Sequence, residues 1–191
     1  MNKLAAIFAL LAAPAFAVLG AAPAGAAGLK IEVAGEGANG IITIELLEDI
    51  APEHVAQITA LAAEGAYDGV VFHRVIDGFM AQTGDVQYGV IGGDLSRAGS
   101  GKSDRPNLKA EFSAARFVRG VVGMARSSNP DSANSQFFIM FEPGEFLNGQ
   151  YTVVGRVTDG MDVVDAIKRG AGANGSVVGQ PDQMKKVTAT D

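Results

Sequence analysis

The chain has 191 residues, no cysteine, two histidines and a formal net charge of -6. That length favours one domain able to bury a core without disulfides or metals. The lack of cysteine excludes disulfides, zinc–thiolate sites and thiol nucleophiles, and the acidic balance argues against a binder of nucleic-acid phosphates.

The N-terminus is unlike the rest. Lys3 is the only charged side chain before Lys30, Leu4 to Ala13 is apolar, and Pro14-Ala15-Phe16-Ala17 carries a small-x-small pattern. This is the three-part layout of a secretory signal peptide over residues 1–27, cleaved after Ala17 or near Ala26. An uncleaved anchor is the rival, but Pro14, Gly20, Pro23 and Gly25 interrupt the apolar stretch. Cleavage would leave 28–191 as a periplasmic or secreted domain with no stable membrane insertion. Nothing in it demands more than a monomer.

From Leu29 onward the pattern is mostly short strands. Ile31 and Val33, then Ile42, Ile44 and Leu46, alternate with polar or small neighbours around a turn at Gly35–Gly40. Pro52 to Glu64 reads as a helix with Pro52 at its first position, Gly65 past its end, and Val55, Ile58, Thr59 and Ala62 as its buried stripe. Further strands are expected at Val70–Ile76, Phe79–Gln82, Gly120–Arg126, Gln136–Phe141, Tyr151–Val157 and Lys185–Ala189, and a short helix at Val163–Lys168. Val86 to Phe112 is rich in Gly, Ser and charge and reads as a long loop. Many short strands with two helices point to an all-β barrel or sandwich.

Two segments combine unusual residues. One is Phe72-His73-Arg74-Val75-Ile76-Asp77-Gly78-Phe79-Met80-Ala81-Gln82-Thr83-Gly84-Asp85; the other is Met124-Ala125-Arg126 followed by Asn134-Ser135-Gln136-Phe137-Phe138-Ile139. Strand alternation sets Phe72, Arg74 and Ile76 on one face and His73 and Val75 on the other. It likewise sets Gln136 and Phe138 apart from Phe137 and Ile139. If Arg74, Gln82 and Gln136 meet beside Phe79, Met80 and Phe138, an apolar pocket gains a permanent cation and two amides at its rim. Such a site suits a hydrophobic ring flanked by peptide backbone.

These motifs, together with Phe146-Leu147-Asn148-Gly149 and Val153-Val154-Gly155-Arg156-Val157, resemble the signature of the cyclophilins, and the resemblance covers nearly the whole chain from about Lys30. It implies a closed eight-stranded antiparallel barrel capped by two α-helices, and isomerisation of X–Pro bonds with neither cofactor nor metal. By the same resemblance Arg74 is catalytic with Gln82 beside it. Phe79, Met80, Phe138 and Leu147 wall the proline pocket. Gln136 holds substrate backbone, Ala125 and Arg126 lie where the bound peptide pairs, and Phe146 and Tyr151 complete the substrate site. The partners would be proline-containing segments of unfolded or partly folded exported proteins; a proline-segment binding or chaperone module with little turnover is the alternative. Relative to the best-known members, Phe146 stands for tryptophan, Tyr151 for histidine and Arg126 for asparagine. Losing the indole N–H predicts weak binding of cyclosporin-type inhibitors.

Other polar residues have structural readings. His73 is expected on the face away from Arg74, His54 at the surface or cap region of the first helix, and Asp77 and Asp85 in turns beside glycine. Ser127 to Ser132 reads as a polar loop, and Phe137, Ile139 and Phe141 as core.

Overall fold

The computed structural model describes residues 27–190. The signal-peptide reading of residues 1–27 therefore lies almost wholly outside the described residues. Among the described residues, nine strands form one antiparallel sheet: β1 (Gly28–Ala34), β2 (Gly40–Leu46), β3 (Val70–Val71), β4 (Arg74–Ile76), β5 (Met80–Thr83), β6 (Val121–Met124), β7 (Phe137–Met140), β8 (Val153–Asp159) and β9 (Gln183–Thr190). Their order is β3-β9-β1-β2-β8-β6-β7-β5-β4. The helices are α1 (Pro52–Ala63), packed on β1 and β9, and α2 (Met161–Ala166), packed on β2.

The two outermost strands of that order, β3 and β4, are neighbours in sequence, joined by Phe72 and His73. The sheet thus curls until its ends meet on one stretch of chain. The strand expected at Val70–Ile76 is split by this two-residue link, which accounts for nine strands where eight were expected. The split also shifts the side-chain alternation. Phe72 is fully buried in the main core with Val75, while Arg74 and Ile76 face outward. Phe72 and Arg74 therefore do not share a face: period two holds only while the chain stays extended.

Inside the curl lie Leu29, Ile31 and Val33 from β1, Ile42, Ile44 and Leu46 from β2, and Phe137 and Ile139 from β7. Outside it, Met80, Phe138 and Met140 join Phe117, Leu147 and Val153 in a second apolar cluster. Burying each such large side chain contributes about 1.5–3 kcal/mol. The β1–β2 turn is organised from afar: Asp182, 1% exposed, accepts from the backbone N–H of Gly37, Ala38 and Lys168. A Cβ on Gly35 would sit 1.9 Å from its carboxylate, so only glycine fits there.

Helix α1 starts at Pro52 as expected, but its buried face is His54, Val55, Gln57, Ile58, Leu61 and Ala62, with Thr59 only half-buried. His54 is 0% exposed, not at the surface. Its Nδ1 lies 2.5 Å from Glu111, whose carboxylate also accepts the first-turn N–H groups of Glu53 and His54. Ala51 offers no capping side chain, so the cap arrives from the long loop. Helix α2 begins two residues before the expected start, behind Gly160 in a left-handed conformation.

Candidate active site

The site is built on one cross-strand row. Arg74 on β4 pairs in register with Gln82 on β5, Gln82 with Phe138 on β7, and Phe138 with Gly123 on β6. Side chains directly opposite across antiparallel strands touch, so this register places a cation, an amide and an aromatic ring side by side. Gly123 is a requirement of the row: a Cβ there would lie 2.5 Å from the Phe117 ring and 2.6 Å from the Phe138 ring. Without it those rings stack at 5.8 Å, forming a floor for the outer cluster.

Above that floor opens a pocket of about 240 Å³. Met80, Phe138 and Leu147 form its base, and Phe79, Phe146 and Tyr151 its walls. Phe146 is 69% exposed and tilts against Phe79 at 5.4 Å; Tyr151 meets the Phe138 edge at 6.0 Å. Arg74, Gln82, Ala125 and Arg126 complete the lining. Gln136 lies outside it, in an adjoining polar cleft that shares Gln82, Ala125 and Arg126. The Ala125 amide is already committed to the Gln136 carbonyl at 2.9 Å.

Arg74 is held entirely by neutral groups. Its Nη1 donates to Gln82 Oε1 at 3.1 Å, and its Nε and Nη2 donate to the carbonyl and side-chain oxygens of Asn174 at 3.0 and 3.2 Å. Gln82 passes the order on, donating to Gln136 Oε1 at 2.9 Å. Gln136 in turn donates to the carbonyls of Gly99 and Gly101 at 3.0 and 2.8 Å. Partial burial lowers the pKa of Arg74 from its usual value, opposed by the neighbouring Tyr151; a guanidinium still stays charged across the neutral range. The Arg126 guanidinium lies 4.2 Å over the Tyr151 ring and donates to the Ser127 and Gln150 carbonyls.

Sequence reasoning missed two contributors. Asn174 is the one non-glycine residue at positive φ among the described residues, and it reaches Arg74 from 100 positions away. Gly99 to Lys102, inside the long loop, form one side of the polar cleft. That loop is stapled by Asp85, which is 0% exposed and accepts four backbone N–H bonds, from Gln87, Tyr88, Gly99 and Gly101. A carboxylate in the middle of a Gly-Asp turn could have been read as such an anchor, since ionised Asp is acceptor-only. His73 is 8% exposed with both ring nitrogens unpartnered, and burial pushes its pKa down to about 4. It is neutral at physiological pH, and instead of facing away from Arg74 it lies under Gly99 and lines an open hollow together with Arg74, because the two-residue link resets the alternation at His73 as well as at Phe72. Asp77 is exposed and bound to Arg169.

The family model for the cyclophilin type peptidyl-prolyl cis-trans isomerase/CLD matches residues 29–189. The chain belongs to this family. A probable peptidyl-prolyl cis-trans isomerase of Brucella suis biovar 1 (strain 1330) is 61% identical to this cyclophilin over 152 residues, spanning 78% of each chain. Peptidyl-prolyl cis-trans isomerase B of Escherichia coli (strain K12) is 38% identical over 139 residues, 68% of this chain and 79% of its own. Among solved structures, the cyclophilin AquaCyp293 from Hirschia baltica superposes with a TM-score of 0.68 at 25% identity, covering 84% of this chain and 73% of that one. The protein is thus a cyclophilin-type peptidyl-prolyl cis-trans isomerase, acting on proline-containing peptides.

Proposed function

We propose that Arg74 is the catalytic group of this isomerase, that the pocket over Phe138 takes the prolyl ring, and that the clients are exported proteins. The observation that carries the first part is a permanent cation at the rim of an apolar pocket, restrained only by uncharged partners.

Rotation about a peptide bond is opposed by amide resonance, a barrier of about 18–20 kcal/mol. X–Pro bonds populate both isomers but exchange slowly, in tens to hundreds of seconds. In the twisted transition state resonance is lost and the prolyl nitrogen gains a lone pair. A guanidinium hydrogen beside that nitrogen stabilises the twisted form more than either planar one, the condition for catalysis. Met80, Phe138 and Leu147 hold the ring and exclude water, which strengthens the cation's field. Gln82 positions Arg74 and keeps one amide hydrogen for the carbonyl that swings, while Gln136 orders Gln82 from the adjoining cleft. Phe79, Phe146 and Tyr151 wall the ring in, while Ala125 and Arg126 border the flanking backbone. No proton leaves or enters, so no general base is needed.

The test compares isomerisation of a short X–Pro peptide by the protein and by its Arg74→Ala variant. Loss of about 10²- to 10³-fold in kcat/KM, with peptide binding largely kept, supports the assignment; unchanged turnover refutes it. Export follows from the apolar leader at residues 1–27, and the mature protein would sit in the periplasm or outside the cell. Mass spectrometry of the chain recovered from a secreting bacterial host checks this: a new N-terminus near Val18 or Ala27 supports export, and an intact Met1 terminus in the cytoplasm overturns it.

A further inference from the structure

Most cations of this molecule are paired. Among the described residues, eight of fourteen lysines and arginines contact a carboxylate. Of the six that do not, four line one continuous depression: Arg74, Arg97, Lys102 and Arg126.

The depression has three parts that meet at Gln82. One is the apolar pocket. The second is a polar cleft of about 390 Å³ bordered by Lys102, Arg126 and the hydroxyls of Ser127 and Ser132. The third is an open hollow beside Arg74 and Arg97. No aspartate or glutamate lines any of them, although the chain carries 21 acidic residues against 15 basic ones. The neighbouring acids are occupied elsewhere. Asp85 is buried under four N–H groups, Asp94 and Asp131 accept from Ser96 and Ala110, and Glu145 pairs with Arg116.

None of the four cations contacts a carboxylate directly, although Arg97 and Asp94 attract each other over a longer distance. Arg74 is bound by amides, Arg126 by carbonyls and the Tyr151 ring, Lys102 by the Asn107 amide oxygen at 3.1 Å, and Arg97 lies 3.7 Å above the Tyr88 ring. Charges beyond a Debye length of about 10 Å are largely screened, so a peptide in the groove feels these four cations more than the net negative surface.

We propose that the groove selects proline segments with an acidic residue close to the proline, whose carboxylate settles in the polar cleft between Lys102 and Arg126. This substrate preference rests on the prolyl-pocket reading above. Acidic clients are thereby favoured by a protein whose overall charge would repel them.

The test uses the full chain and short single-proline peptides that differ at one position near the proline, carrying Glu, Gln or Lys there. One series varies a residue before the proline and a second varies a residue after it. The expected order of kcat/KM is Glu, then Gln, then Lys, with about three- to tenfold between the extremes in the series that reaches the cleft. That ratio should shrink toward one in about 0.5 M salt, and Lys102→Glu should collapse or invert it. Equal rates or the reverse order in both series overturn the proposal, as does a ratio indifferent to salt or to Lys102→Glu. The Gln peptides separate the two readings. Arg74-dependent turnover of them without any Glu-to-Lys ordering removes this inference alone, whereas no turnover of them removes both.

Discussion

Gln82 Nε2 donates to Gln136 Oε1 at 2.9 Å, and through that bond the orientation of Arg74 is tied to the loop carbonyls of Gly99 and Gly101. The relay consists of neutral amides, so it orders the guanidinium without diminishing its charge. Gln136→Ala breaks it at the middle, leaving Gln82 free to rotate. We expect kcat/KM for a neutral X–Pro peptide to fall about tenfold, while stability drops by only about 1–2 kcal/mol, the net worth of a few half-exposed hydrogen bonds. Steady-state kinetics beside a urea titration would reveal the split; equal kcat/KM in variant and parent would show that the relay does not position Arg74.

Asn174 holds Arg74 with two acceptors while sitting at φ 54. Asn174→Gly keeps the backbone conformation and the carbonyl acceptor and loses only the side-chain bond, so kcat/KM should fall a few-fold with unchanged thermal stability. Asn174→Val should lower stability by about 1–2 kcal/mol besides, because a β-branched residue resists the left-handed region. Identical melting curves for the two variants would contradict this account.

Asp85 concentrates four backbone N–H groups on one buried carboxylate. Asp85→Ala strands those donors, and a loss of about 3 kcal/mol or more is expected. Hydrogen exchange should show the effect first at Gly99 and Gly101. Undiminished protection there would mean that the loop is held by something else.

Acid sensitivity should carry the mark of His73. Its folded-state pKa is pushed down to about 4, chiefly by burial. The unfolded chain therefore binds the proton first as pH falls, and native stability declines between about pH 6.5 and 4, by about 3 kcal/mol in all. Below that window both states are protonated and this contribution stops changing. Glu111, whose pKa is lowered because its hydrogen bonds to His54 and Glu53 outweigh partial burial, adds a further loss beneath the ordinary carboxylate range. His73→Leu should flatten the first part of the profile in urea titrations across pH. Turnover of a neutral peptide should stay level from about pH 5.5 to 8.5, since arginine does not titrate there; a histidine-like inflection in kcat/KM would speak against the mechanism.

The sequence carries the site because most of its members lie in two short segments, either on strands β4, β5 and β7 or within two residues of a strand end. Alternation is sufficient for β7, where Phe138 faces the pocket and Phe137 and Ile139 face the core. It fails at Phe72, where two non-strand residues reset the phase before Arg74. What cannot be read are partners brought in by closure of the sheet. Asn174 meets Arg74, Glu111 caps α1 at His54, and Asp182 holds the Gly37 turn, each across more than fifty positions with no local pattern to announce it. His54 reads as an exposed helix residue for the same reason: its burial comes from the loop that covers it.

Strand β9 pairs with both β1 and β3, so it is the piece that joins the two halves of the curl. Its partners Gly28 to Ala34 lie at the far end of the domain's chain. Assembly is therefore dominated by contacts remote in sequence, which makes folding slow relative to helical proteins of similar size. A growing chain cannot complete the barrel until Gln183–Thr190 has emerged, and until then β1 and β3 each present a bare edge. The catalyst of a slow folding step is, by its own topology, a molecule whose folding waits for its last strand.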